Sequence, residues 1–212
     1  MRELHDFHRS SSAHRVRIAL ALKGLDYTAV PVALHAGEQH EADFRALNPQ
    51  GLVPVYSDNR VLLSQSLAII EYLDESHPEP PLLPTAAVER ARARQFAYMI
   101  GADIQPLTAL RVVGFLRDVF RIDARGRRNW FNHWLLEGLD ALELWLTAAG
   151  GSPHFCIGAT PTIADICLIP QLAVARRNGI DIEDFPRLAA VESRCLALPP
   201  FQAAQPVPPV TP

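Results

Sequence analysis

Apolar and polar positions in the first third of the chain follow two alternating periods. Residues 3–7 have the short pattern of a strand. Residues 13–23 place Val16, Ala19, Leu20 and Leu22 near one helical face, with Gly24 set to close the helix. Residues 28–32 are β-branched and strand-like, and a short polar helix is predicted over residues 41–47. Residues 53–56 and 61–63 read as a hairpin, with Ser57, Asp58, Asn59 and Arg60 between them. Residues 65–75 are amphipathic, with Leu67, Ile70 and Leu73 on one face.

A Pro-rich run at residues 78–84 then interrupts the pattern, because proline removes a backbone donor and blocks a continuing helix. Beyond it every periodic segment is helical. Residues 86–120 form one long run, bent or broken near Pro106. Residues 123–149 carry Trp130, Trp134, Leu135, Leu139, Leu142 and Leu146 at helical spacing. Residues 162–177 and 186–198 predict two more helices, and the Pro-rich tail, 199–212, is expected to be loosely ordered. The expected organisation is an α/β domain over residues 1–78, a linker at 79–84 and an all-α domain over 85–212.

Composition narrows the class. A net charge of -3 supplies no field that would draw nucleic acid or an anionic membrane to the surface. No stretch is read as an apolar span, and the N-terminus has no signal-like apolar segment. Three cysteines, Cys156, Cys167 and Cys195, without a C-x-x-C pair, fit buried thiols in a reducing compartment, so a cytoplasmic location is expected.

Four short motifs carry the candidate chemistry. Ser10, Ser11 and Ser12, preceded by Arg9, stand where a strand gives way to a helix. A helix N-terminus offers unpaired N–H groups and the positive end of the dipole, so the serines read either as a simple cap or as part of a thiolate site. In the segment Asn48–Pro49–Gln50–Gly51–Leu52–Val53–Pro54, Pro54 stands at a strand start; a cis bond before it would turn the Val53 backbone outward toward an extended peptide. Gln65 and Ser66 open a helix, as a cap or as an anion site. Thr162 and Asp165 form a capping-box pattern, read as structural. His5, His8 and His14 match no familiar metal-ligand spacing, so no metal is expected.

Taken together, RSSSAHRVRIALALKGLDY, NPQGLVPV, QSLAIIEYLDE and GATPTIADICLIPQ resemble, in order and spacing, the zeta class of glutathione transferases. That class includes maleylacetoacetate isomerases, and bacterial maleylpyruvate isomerases are closely similar to it. The resemblance runs from about residue 3 to residue 201. It implies a thioredoxin-like N-terminal domain and an all-α C-terminal domain, with glutathione as cofactor. Ser10, Ser11 and Ser12 align with the stretch that activates the glutathione sulfur, with Ser11 the first choice; Ser12 stands where the family often has cysteine. Val53 and Pro54 align with residues that pair with the cysteinyl backbone, and Gln50 lies in the same binding loop. Gln65 and Ser66 align with the γ-glutamyl anchors, and His40 with a contact to the glycyl end. Asp103 aligns with an acid that reaches across a homodimer to the γ-glutamyl amine. Arg9, Arg111 and Arg177 align with arginines that hold a dicarboxylate substrate, whereas Arg176 should tolerate change. His8 stands where the family has an aromatic residue.

The resemblance therefore implies cis–trans isomerisation of a maleyl-type keto acid, maleylacetoacetate to fumarylacetoacetate, by reversible thiolate addition. The alternatives are maleylpyruvate isomerisation, glutathione conjugation or dehalogenation of small α-halo acids, and a non-catalytic glutathione-binding protein.

Overall fold

The computed structural model describes residues 1–59, 61–148 and 154–207. The chain divides into two compact units, Met1–Leu82 with Leu196–Pro212, and Leu83–Cys195. Sequence reading assigned the C-terminal segment to the helical domain; it groups instead with the first unit.

The first unit is built on a four-stranded sheet of order β2-β1-β3-β4, from β1 (Arg2–Asp6), β2 (Thr28–Pro31), β3 (Val55–Asp58) and β4 (Val61–Ser64). β1 runs parallel to β2 and antiparallel to β3, and β3 runs antiparallel to β4. The register pairs Asp6 with Pro31, His5 with Val55, and Val55 with Ser64. The ends of β1, β2 and β4 and the start of β3 therefore share one edge. The strands run further into the predicted four-residue turn than its composition suggests. β3 extends to Asp58, Asn59 takes a positive φ of 53°, and Arg60 lies outside the described residues.

Helix α1 (Ser11–Leu22) is buried from Ala13 through Leu20, including His14, Arg15 and Arg17. It packs against α3 (Ser66–Ser76) and against α10 (Pro199–Ala203). The Pro-rich tail is thus partly helical: Pro199 and Pro200 occupy the first helical turn, where proline is tolerated, and Phe201 is wholly buried. Residues 208–212 lie outside the described residues. Just past α1, the Lys23 ammonium donates to Asp74 Oδ1, His77 O and Pro80 O, each at 2.6 Å. Its three hydrogens match three acceptors. Asp74 Oδ1 also accepts from Leu82 N at 2.7 Å, so this cluster fixes the path of the Pro-rich run.

In the second unit, α4 (Ala87–Tyr98) continues into a π-helical segment (Met99–Ile104) and α5 (Gln105–Leu107) before α6 (Leu110–Asp118). The bend expected near Pro106 is two features, the π segment before it and a break at Ala109 (φ −67°, ψ 147°) after it. Within the run Ala87–Asp118 one window of 18 residues reaches a mean hydropathy of 1.2, enough by length and composition for a candidate span, which the sequence pattern does not mark. The break divides it, and its first part carries Glu89, Arg90, Arg92, Arg94 and Asp103. α7 (Ala124–Ala148) buries Leu135, Leu139, Leu142 and Leu146. Gly138 lets it approach the π segment; a Cβ there would stand 2.4 Å from the Ile104 side chain. The predicted helix end at Ala149 lies outside the described residues.

Thr162 caps α8 (Ile163–Arg177), and the capping box is present. The buried Asp165 carboxylate accepts from Thr162 N and Cys156 N, each at 2.8 Å, so one carboxylate starts α8 and anchors the preceding loop. The Glu143 carboxylate of α7 likewise accepts from Arg187 N and Leu188 N at the start of α9 (Pro186–Leu196). The three cysteines are free and buried. Burial, with Asp165 nearby, pushes the Cys156 and Cys195 thiols above their ordinary range, away from the reactive thiolate.

Candidate functional site

The shared sheet edge brings separate stretches of the first unit together. β1 ends at Asp6, and the chain turns back through Phe7, whose carbonyl accepts from Ser10 N at 2.7 Å. Ser10 (φ −71°, ψ 119°) is the N-cap of α1, and its Oγ accepts from Ala13 N at 3.2 Å. A hydroxyl that accepts this bond keeps its own hydrogen to donate. Ser11 and Ser12 follow as the first helical residues, and all three serines are partly exposed.

The loop ahead of β3 is held by Asn48, which is 3% exposed. Its Nδ2 donates to Leu52 O at 2.7 Å and its Oδ1 accepts from Gln50 N at 3.1 Å. Gly51 has φ +63°, and a Cβ there would stand 2.8 Å from Gln39 O and 3.3 Å from His40 Nδ1. Glycine thus lets the 3₁₀ turn Glu38–His40 close over the loop, which brings His40 beside Gly51. The Val53–Pro54 bond is cis, the alternative weighed from sequence.

Gln65 Nε2 donates to Gln50 Oε1 at 2.7 Å, joining the loop to the start of α3. Gln65 itself has φ 71° and ψ 108°, an uncommon conformation for a residue with a side chain. Such strain costs about 1–3 kcal/mol and persists where the surroundings demand it, often at a ligand clamp. Next to it, Ser66 is 6% exposed and its Oγ accepts from Arg15 Nη1 at 3.3 Å. The start of α3 therefore lies against the second turn of α1. Gln50 and Gln65 are thus joined, with Ser66 next in the chain and His40 close to Gly51, at the edge where Ser10, Val53 and Pro54 also stand.

The turn between β1 and α1 is fastened from below. Arg17 Nη1 pairs with Asp6 Oδ2 at 2.5 Å, its Nη2 donates to His8 O at 3.2 Å, and its Nε donates to Ala204 O at 3.1 Å. One guanidinium thus ties the end of β1, the residue before Arg9 and the C-terminal segment.

The remaining candidates lie in the second unit. Asp103 is exposed within the π segment, Arg111 is exposed on α6, and Arg177 is exposed at the end of α8. Arg176 has an occupation of its own: its Nη2 pairs with Glu192 Oε2 of α9 at 2.5 Å, and Glu192 is 6% exposed. Arg176 is thus committed to Glu192, and its loss would leave a buried carboxylate without its cation. The histidines have aromatic neighbours: His5 meets Phe44 edge-on, and Phe7 stands between His8 and His35. Among the described residues no group of three or more His, Cys, Asp or Glu side chains is placed to hold a metal.

The sequence pattern assigns no role to Asn48, Asp6, Arg15 or Arg17, and helix arginines are ordinarily solvated. The structure buries both arginines: Arg15 is 1% and Arg17 7% exposed. A signal existed for Arg15, which shares the helical face of Ala19 and Leu22 at spacings of about one and two turns. Asn48 had one too, since Asn before a proline turn caps the following backbone.

Residues 4–81 match the family model for the glutathione S-transferase N-terminal domain, and residues 115–192 that for the C-terminal domain. A maleylacetoacetate isomerase of Pseudomonas aeruginosa is 43% identical over 207 residues, covering 96% of this chain and 95% of that protein. A maleylpyruvate isomerase of a Ralstonia species is 40% identical, covering 96% of each. Among solved structures, a maleylacetoacetate isomerase of Methylobacterium extorquens with bound malonate and glutathione superposes with a TM-score of 0.94 at 38% identity, covering 96% of each chain.

The Arg17 junction predicts a stability cycle. Arg17→Met leaves the Asp6 carboxylate buried without its cation and should cost about 3–5 kcal/mol. Adding Asp6→Asn should return part of that loss. Urea midpoints of the two single variants and the double variant check this; a loss below about 1 kcal/mol for Arg17→Met would place the pair among weak surface bridges.

Proposed function

The chain belongs to the glutathione transferase family, and from that premise we propose that it is a glutathione-dependent cis–trans isomerase of maleyl-type keto acids. The observation that carries this reading is the single sheet edge at which the α1 cap, the Val53–Pro54 turn and the Gln50–Gln65–Ser66 assembly meet. These residues fit a γ-glutamyl tripeptide thiol. Two helix N-termini, of α1 and α3, suit its thiolate and its carboxylate. Gln65, held in a strained conformation and steered by Gln50, presents an amide beside Ser66. Val53 N–H and C=O serve the peptide backbone, and His40 serves the glycyl end.

When bound, glutathione supplies a thiolate that adds reversibly across the cis double bond, leaving a single bond that rotates. The protein's part is to make that thiolate available and to hold the substrate. A thiol of pKa about 8.5 is only a few per cent ionised at pH 7. A shift of about two units makes the thiolate dominant and corresponds to ~2.7 kcal/mol of differential stabilisation. Ser10 is now the first candidate for the donor, ahead of Ser11: Ala13 N–H fixes its oxygen and leaves its hydrogen to give. Arg9, Arg111 and Arg177 hold the substrate carboxylates, for which the guanidinium fork is well shaped, and their charge favours the negative charge that develops on addition.

We assign a cytoplasmic location, supported by three free cysteines without a disulfide. We also assign a homodimer in which Asp103 of the partner subunit completes the γ-glutamyl site. Its support is the exposed apolar side chains of the second unit, Val88, Tyr98 and Leu144 among them.

Purified enzyme with a trace of glutathione should convert many equivalents of maleylacetone to the trans isomer and leave glutathione unchanged in amount. Glutathione consumed one for one would indicate conjugation or dehalogenation instead, and glutathione binding without turnover would indicate a non-catalytic protein. Light scattering at micromolar concentration should give the mass of a dimer; a fully active monomer would refute the shared site.

A further inference from the structure

Arg15 is a buried cation of the first unit, yet none of the roles assigned above uses it. Its Nη1 lies 3.3 Å from Ser66 Oγ, and the two residues are 1% and 6% exposed. Ser66 is the first residue of α3, an eleven-residue helix, so its hydroxyl stands among N–H groups that have no partner within the helix. A serine hydroxyl has one hydrogen and two lone pairs. With the guanidinium donating to one lone pair from the interior, the hydroxyl must direct its own hydrogen elsewhere. Hydrogen bonds in series polarise one another, so a hydroxyl that accepts from a cation is a stronger donor to an anion.

We propose that Arg15 is a positioning residue for the γ-glutamyl end of glutathione: it holds the Ser66 hydroxyl from behind and aims its hydrogen at the ligand's α-carboxylate. The inference rests on the glutathione reading above and adds to it a selectivity for peptides that carry that carboxylate. The rigid guanidinium fork fixes the direction of the Ser66 oxygen in a way that a flexible ammonium would not.

The test compares two ligands by titration calorimetry. One is glutathione; the other is 4-aminobutyryl-cysteinyl-glycine, which lacks only the γ-glutamyl carboxylate. Arg15→Gln should weaken glutathione binding about tenfold or more, as expected for loss of a charge-assisted hydrogen bond. It should leave binding of the decarboxylated peptide within about twofold, since the same contact is absent there. Ser66→Ala should reproduce the selective loss, and the double variant should lose little beyond either single variant. If Arg15→Gln does not fold, Arg15→Lys keeps the buried charge and should still narrow the ratio between the two ligands.

An equal loss for both ligands, or an unchanged ratio in the folded variant, would overturn the inference and leave the glutathione reading standing. Wild-type protein that binds neither ligand would overturn the glutathione reading itself.

Discussion

Helix α1 and its C-cap take the side chains of Arg15, Arg17 and Lys23 into the interior, and the need to find acceptors for them organises the first unit. A cation out of water is tolerated only when it is paired and hydrogen-bonded. Arg15 meets the start of α3 through Ser66, Arg17 meets the end of β1, the His8 carbonyl and the C-terminal segment, and Lys23 meets Asp74 and the Pro-rich run. Those acceptors belong to segments far apart in sequence. Satisfying the cations therefore fixes where α3, the serine turn and the segment after α10 stand relative to α1. Apolar burial of Val16, Ile18, Ala19 and Leu20 supplies the driving force, but it is non-directional; the cations supply direction.

Function follows from where this leaves the backbone. The strand register places three strand ends and one strand start at a common edge, and two helices begin there. Each helix start carries unpaired donors and a positive dipole end, so the edge favours anions before any ligand-specific contact is counted. Side chains then divide that field. Ser10 is locked as a cap with a hydrogen to spare, Ser66 accepts from Arg15, and the Gln50–Gln65 bond gives the loop before β3 a fixed relation to α3.

Short-range features were legible in the sequence. The serine cap, the start of α3 and the Thr162–Asp165 box each depend on residues within one turn of one another. The buried arginines were not, because a helical arginine is ordinarily solvated, and only packing by α3 and α10 covers this face. The C-terminal helix was misread for a related reason. Pro199 and Pro200 look like breakers, yet proline fits a first helical turn, and the anchor that gives the helix a place is Phe201, buried in the first unit. Arg176 shows the same limit: its partner Glu192 is 16 residues away on another helix, so sequence spacing could not tell it from a free neighbour of Arg177.

The central claim is that the start of α1, with its serine hydroxyl, turns a bound thiol into a thiolate. Ultraviolet titration of the thiolate in the enzyme–glutathione complex measures this directly, without a substrate. The bound thiol should titrate about two units below its free value of about 8.5. Ser10→Ala should move it back toward that value, and Ser11→Ala should move it less. A bound thiol that titrates at its free value in the wild-type protein would contradict the account.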